Sequence, residues 1–318
     1  MTSKHLVDPE LLPALEQVPQ FDLSEETLPP IRAQIVEMFA HLGSAFPPAP
    51  EIARSERFVP GPSGAPEVRV LVYAPRDGRT GRPGYLYIHG GGYVLGTADM
   101  SEMSCRALAL ELGCVVVSVD YRLAPETTFP GNVEDCYAAL KWLHSHAAEL
   151  GVDPARIAIG GESAGGGLAA GLGLLTRDRG EIALIHQHLV YPMIDDRPSA
   201  GTNPLAGEFG WTRASNHFGW KCLLGREPGG ADVSPYAAAA RAETLAGLPP
   251  TFIGVGALDL FCDSNLDYAR RLIHAGVPVE LHVYPGAFHG SDMAIEARVT
   301  KQHARDRLEA LRTAFARS

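Results

Sequence analysis

What the 318-residue chain lacks closes off several kinds of function. No apolar run approaches the ~20 residues that a bilayer-spanning helix needs; Cys114-Val115-Val116-Val117-Ser118-Val119 is typical of the longest. Positive charge is in short supply, with 27 Lys and Arg against 37 Asp and Glu and a net charge of −10. That balance offers no general attraction to phosphate backbones or anionic lipid, so neither nucleic acid nor a membrane is an expected partner. Cysteine is scarce too: Cys105, Cys114, Cys136, Cys222 and Cys262 are odd in number, scattered and without a C-x-x-C pair. They read as buried reduced thiols rather than a disulfide framework. The amino terminus, Met1-Thr2-Ser3-Lys4-His5-Leu6-Val7-Asp8-Pro9-Glu10, carries charges and a proline where a signal peptide has its apolar core, and the expected location is the cytoplasm. Internal repeats and low-complexity tails are also missing.

The chain does have the means for one large core, at 46% hydrophobic and 20% charged residues, a composition far from that of disordered chains. It is rich in glycine and proline, 34 and 25 residues. Residues 1 to about 50 contain one helical pattern, in which Leu28, Ile31, Ile35, Met38, Phe39 and Leu42 recur at three- and four-residue spacing. From Val68 onward, short β-branched or aromatic runs alternate with helical stretches. Strands are expected at Val68–Tyr73, Tyr85–His89, Cys114–Val119, Arg156–Gly160, His188–Tyr191, Thr251–Gly256 and Val279–Tyr284. The clearest helix is expected to start at Asn132 as N-cap and to gather Val133, Cys136, Tyr137, Leu140, Leu143 and Ala147 on one face. Strand and helix in alternation imply a mostly parallel sheet, which places its ligand site beyond the carboxyl ends of the strands. Residues of about 199–249 break the alternation and are long for a loop, as lids and binding elements are.

Chemistry concentrates just after the strands. Arg156–Gly160 runs into Gly161-Glu162-Ser163-Ala164-Gly165 and then a helical pattern, which is G-x-S-x-G in the strand-turn-helix setting of a nucleophile elbow. A serine hydroxyl needs a base within reach and an acid to orient that base. His289 in Pro285-Gly286-Ala287-Phe288-His289-Gly290 and Asp259 in Ala257-Leu258-Asp259 each follow a strand and complete the order Ser, Asp, His. Asp263 and Asp195 are the alternative acids. Tyr85–Ile88 leads into His89-Gly90-Gly91-Gly92-Tyr93, a loop suited to stabilising an oxyanion, with Gly91, Gly92 and Ala164 as backbone donors and His89 fixing the loop. No G-K-[ST] follows the triple glycine, so a phosphate loop is disfavoured. His186 and His188 alternate on a strand without a third ligand at regular spacing, so no metal is expected. The chemistry calls for no cofactor either.

With Asp120-Tyr121-Arg122-Leu123-Ala124-Pro125-Glu126 and Phe129-Pro130 added to these motifs, the chain resembles the hormone-sensitive lipase family of α/β-hydrolase esterases, bacterial family IV. The resemblance spans Tyr85 to His289. It implies an α/β-hydrolase fold, a mostly parallel central sheet flanked by helices, in a catalytic domain of residues 51–318. A helical cap would come from residues 1–50 and from the insertion at about 199–249. It implies further that Arg122 and Glu126 brace the oxyanion loop, and that copies pair through an edge strand, for which Val279–Tyr284 is the candidate. The elbow departs from many relatives in carrying Glu162 in place of Asp or Thr.

The expected activity is that of a serine carboxylesterase on short- to medium-chain esters. An amidase, lactonase or carbamate hydrolase uses the same triad, and a non-catalytic receptor on this fold is the alternative of another class. Tyr93, Trp211, Phe218, Trp220 and Phe288 are candidates to line the pocket, with packing as the competing role of the two tryptophans.

Overall fold

The computed structural model describes residues 2–15, 22–45, 49–198 and 203–317. Among the described residues eight strands form one sheet: β1 Ile52–Val59, β2 Val68–Pro75, β3 Arg82–Ile88, β4 Val115–Asp120, β5 Val152–Glu162, β6 His186–Val190, β7 Thr251–Gly256 and β8 Val279–Tyr284. Their spatial order is β1-β2-β4-β3-β5-β6-β7-β8. Only β1 with β2 and β2 with β4 are antiparallel; every other neighbouring pair is parallel.

The central strands read as continuous apolar runs because both faces are covered. Helices α1 Leu28–Ala45, α2 Glu102–Leu112, α3 Gly131–Ser145, α4 Ala164–Arg179, α5 Arg213–Leu224, α6 Cys262–His274 and α7 Arg298–Arg317 are the long ones among the described residues. On one face Tyr73, Tyr85, Tyr87 and Val116 of the sheet pack with Cys105 and Ala109 of α2 and Leu311 and Phe315 of α7. On the other, Leu140 and Leu143 of α3, Leu168 and Leu172 of α4 and Tyr268 and Leu272 of α6 cover Leu86, Ile88, Val117 and Ile159.

All seven expected strands are present, and an eighth, β1, joins them. Its interior, Ala53-Arg54-Ser55-Glu56-Arg57-Phe58, is largely solvent-facing and only Ile52 and Val59 at its ends are buried, so it shows neither alternation nor an apolar run. Helix α3 starts two residues earlier than expected, with Pro130 in the N-cap position, so Asn132 is not its cap. The side chain of Asn132 is buried in the first turn, and its amide donates to the carbonyls of Arg122 at 2.6 Å and Thr127 at 3.1 Å. The expected apolar face of α3 is buried, with Ala147 just beyond its end in the next turn.

Leu28 and Ile35 of α1 pack with Val94, Leu95, Ala124 and Cys222, so the amino-terminal helix and α5 both lie over the loops that follow β3 and β4. The side chain of Leu42 and residues 199–202 of the expected cap insertion fall outside the described residues. All five cysteines are free and buried. Among the described residues no helix is long and apolar enough to cross a membrane.

Burial also sets how the fold responds to acid. It pushes the pKa of His186 on β6 down to about 4; burial, with help from the nearby Arg307, pushes that of His303 on α7 down to about 3. Burial lowers those of His89 and His188 as well. Between these folded values and the unfolded value of about 6.5, the unfolded chain binds more protons, so stability is full above that pH and declines as pH falls. Each histidine contributes about 1.4 kcal/mol per pH unit across its window. Denaturant unfolding from about pH 7.5 to pH 5 should show this decline, and His186→Phe should flatten the slope by about one proton. An unchanged slope in that variant would contradict the assignment.

Candidate active site

β5 ends at Glu162, and α4 begins at Ala164. Between them Ser163 has φ 56° and ψ −120°, a strained conformation for a residue with a side chain. Its N–H donates to Val190 O at 2.9 Å, and its carbonyl accepts from Gly167 N at 2.9 Å and Met193 N at 3.0 Å. The turn is tight because it abuts the end of β3. A Cβ on Gly161 would stand 2.2 Å from the carbonyl oxygen of Ile88, and one on Gly165 2.1 Å from the same atom. No side chain fits at either position.

The register carries the other two groups to the same edge. Gly254 of β7 lies opposite Val190, and Gly256 lies opposite Tyr284 at the end of β8, so the turns after these strands leave the sheet beside the elbow. The Nε2 atom of His289 is 2.9 Å from Ser163 Oγ, and its Nδ1 is 2.7 Å from Asp259 Oδ2. Asp259 is fully buried and its other oxygen accepts the N–H of Phe261 at 2.8 Å, which fixes the carboxylate plane. With Nδ1–H donating to that carboxylate, the lone pair of Nε2 faces the serine hydroxyl. The rings of Tyr191 and Phe261 stand edge-on to the imidazole at 4.7 and 5.1 Å. The alternative acids take no part: Asp195 pairs with Arg197 at 2.6 Å, and Asp263 sits on the first turn of α6.

The loop after β3 lies directly against the nucleophile, since a Cβ on Gly90 would be 3.0 Å from Glu162 O and 3.5 Å from Ser163 Cβ. Among the described residues, no backbone hydrogen bond takes up the N–H groups of Gly91, Gly92 or Ala164. Unclaimed donors therefore come from both segments that meet at Ser163. His89 supports the loop: its Nδ1–H donates to Gly90 O at 2.8 Å, and its ring stacks on Tyr121 at 4.3 Å. The Tyr121 hydroxyl in turn donates to His89 O at 3.0 Å.

The bracing expected of Arg122 and Glu126 is differently arranged. Arg122 is turned to the buried Asp135 of α3, donating from Nε at 2.8 Å and Nη2 at 2.7 Å. Glu126 holds Arg32 of α1 at 2.6 Å, and it is Arg32 that reaches the loop, donating to Val94 O and Ala124 O at 2.7 Å each. Within this motif it is Tyr121, and Ala124 through its N–H to Tyr93 O at 3.0 Å, that touch the glycine loop, and not Arg122.

Of the five aromatic candidates, Trp211 alone adjoins the triad. Its indole covers Gly92, where a Cβ would come within 2.1 Å of the ring, and lies 6.4 Å from the His289 ring. Tyr93 has φ 69° and turns inward; its hydroxyl donates to Met193 O at 2.6 Å and its ring tilts against the fully buried Trp220. Phe288 precedes the catalytic histidine but points away from it, into a cluster with Val7, Leu11 and Tyr284. Phe218 packs on the α1 cluster. Position next to a motif says where a backbone is, not which way its side chain turns.

A network with no signal in local sequence stands behind the site. Arg307 of α7 pairs with Glu162 and lies 3.4 Å from Asp292, whose Oδ2 also accepts the Tyr191 hydroxyl at 2.8 Å. Burial works against the guanidinium charge, but Glu162 and Asp292 outweigh it and raise its pKa. Glu162 thus joins the elbow to the aromatic wall of His289. Among the described residues, no three His, Cys, Asp or Glu side chains are grouped to hold a metal.

A protein-family model described as an alpha/beta hydrolase fold matches residues 85–293. The chain is 34% identical over 294 residues to the esterase LipI of Mycobacterium tuberculosis, an alignment spanning 90% of this chain and 88% of that protein. It is 40% identical over 244 residues to the carboxylesterase NlhH of the same species, spanning 76% of each. Among solved structures it superposes on a bacterial heroin esterase with a TM-score of 0.94 and 43% identity, covering 99% of both chains.

A fluorophosphonate should form a bond from Ser163 Oγ to phosphorus with loss of fluoride, detected as a mass increment on the Ser163 peptide. His289→Ala should slow that labelling by ~10³ or more. Phe288→Ala should lower the unfolding free energy by about 3–5 kcal/mol, as emptying an aromatic core position does, in urea titrations.

Proposed function

The chain belongs to the α/β-hydrolase fold family, in its hormone-sensitive lipase branch, and from that premise we propose a serine carboxylesterase acting on short- to medium-chain carboxylic esters. The observation that carries this reading is the continuous hydrogen-bonded line from buried Asp259 through His289 to Ser163. His289 Nε2 takes the hydroxyl proton as Ser163 Oγ bonds to the ester carbonyl carbon, and Asp259 stabilises the resulting imidazolium. The N–H groups of Gly91, Gly92 and Ala164 donate to the oxyanion, each such donor contributing about 3 kcal/mol. Collapse breaks the bond to the alkoxy group, which leaves as alcohol with the proton from Nε2. Water, deprotonated by His289, then attacks the acyl-enzyme, and its collapse releases acid and restores Ser163.

Access supports a limited acyl length. Ser163 and His289 are 7% and 8% exposed, and Trp211 lies across Gly92 at their edge. In this proposal α1, α5 and the segments around them, residues 1–50 and about 199–249, form a cap over the domain of residues 51–318. The five buried, unpaired cysteines favour a reducing compartment, the cytoplasm. β8 lies at one edge of the sheet and is open to pairing with a second copy of the chain. A non-catalytic receptor is disfavoured by the intact triad.

An amidase, lactonase or carbamate hydrolase is separated from an esterase by its leaving group. The kcat/KM for p-nitrophenyl acetate or butyrate should exceed that for the matching anilide by orders of magnitude, and faster anilide turnover would sink the ester assignment. Asp259→Asn should lower kcat by ~10⁴. Trp211→Ala should shift the preferred acyl chain to greater length, read as a falling KM for longer p-nitrophenyl esters; an unaltered chain-length profile would remove Trp211 from the pocket.

A further inference from the structure

On the face of the sheet opposite α4, a cavity of about 220 Å³ lies between α2 and α7 against β3, β5 and β6. Side chains alternate across a strand, so Glu162 faces this cavity while the next residue, Ser163, turns into the catalytic site. The two spaces are one residue apart in sequence and on different sides of the sheet.

The inner end of the cavity offers hydrogen bonds that the protein does not use. Tyr85, Tyr87 and His188 line it and are 1%, 3% and 2% exposed. Nδ1 of His188 has no partner, and neither tyrosine hydroxyl has one among the described residues. The hydroxyls of Tyr85 and Tyr87 are reached from the cavity, whereas Nδ1 of His188 is sealed from it, so the two hydroxyls are the groups left open to an occupant. Burial raises the pKa of both phenols and keeps them un-ionised, and the guanidinium of Arg307 is already balanced by Glu162 and Asp292. The inner end therefore presents hydrogen-bonding groups to an occupant, while Glu111 of α2, exposed and without an ion-pair partner among the described residues, adds a negative charge at the rim.

Leu108 of α2 and Leu308 and Leu311 of α7 give the cavity an apolar side, with Ser104 and Glu111 of α2 also in the lining. Water would satisfy the polar end but leave this side wetted, whereas an apolar cavity of about 150 Å³ stays dry and accepts benzene. The extra volume here leaves room for a ring substituent. Ala107 of α2 and Ala304 of α7 line the cavity and are solvent-exposed, so the mouth opens between the two helices without unfolding.

We propose that this cavity is a second ligand site, for a small neutral molecule carrying one hydroxyl on a monocyclic apolar body, a phenol in its simplest form. The ligand hydroxyl hydrogen-bonds with the Tyr87 hydroxyl, and its ring lies against the three leucines. Binding does not depend on ester hydrolysis.

Fluorine NMR of para-fluorophenol with the full chain tests this. A saturable bound resonance is expected, displaced by phenol and retained in Ser163→Ala. It should weaken at least tenfold in Ala107→Phe/Ala304→Phe, which fills the mouth from exposed positions, and several-fold in Tyr87→Phe. Absence of a saturable resonance from the native chain would mean a cavity that holds water only and would overturn the proposal. So would a bound resonance that the mouth-filling variant leaves unchanged, since the phenol would then sit elsewhere. Should that variant fail to fold, as judged by circular dichroism, unaltered affinity in Tyr87→Phe would overturn it.

Discussion

The carbonyl oxygen of Ile88 occupies the space that a side chain at Gly161 or at Gly165 would need, and much of the site's geometry depends on that contact. Ile88 is the last residue of β3 and lies opposite Gly161 of β5 in the parallel register. The two strands therefore release their following segments side by side: the glycine loop from one and the nucleophile turn from the other. With both contact positions reduced to glycine, the backbones approach closely enough for the loop at Gly90 to touch Ser163. Nucleophile and candidate oxyanion donors are placed by one packing constraint, and the strain in Ser163 is held by the three backbone hydrogen bonds around it.

The remaining groups are fixed from outside this contact. The loop carrying His289 is anchored through buried Asp259, whose carboxylate is itself pinned by the Phe261 N–H. The glycine loop is propped by His89 on Tyr121 and by Arg32 reaching in from the amino-terminal helix. Behind the elbow, Arg307 ties Glu162 to Asp292 and so to Tyr191, which bears on the imidazole. Charges near the site are paired with one another, which leaves the Ser163 hydroxyl and the free backbone N–H groups to act on a neutral substrate.

The parts that were legible in the sequence are those in which chemistry restricts residue type locally. The elbow and the glycine loop could be read because close backbone approach admits only glycine, and the triad because each member follows a strand whose β-branched run is unambiguous. The central strands were legible for the same reason, whereas β1 was not, since Arg54, Ser55, Glu56 and Arg57 have no apolar pattern to show. Asn132 resembled a cap but serves the carbonyls of Arg122 and Thr127 from inside the helix. The inward turn of Tyr93, Trp220 and Phe288 depends on backbone dihedrals and tertiary packing that motif adjacency does not encode. Arg32 and Arg307 meet their partners 62 and 145 residues away; nothing around Arg32 in α1 points to that contact, and nothing in α7 distinguishes Arg307 from its neighbouring arginines.

In the proposed reaction Ser163 carries the acyl group during turnover because the backbone contact, His289 and Asp259 together make its hydroxyl a nucleophile. Rapid mixing of the protein with p-nitrophenyl acetate, acid quenching within the first turnover and mass analysis of the digested chain test it most directly. A burst of nitrophenol and a matching acetyl increment on the peptide that contains Ser163 are expected. Ester turnover with the acetyl group on another residue would contradict it.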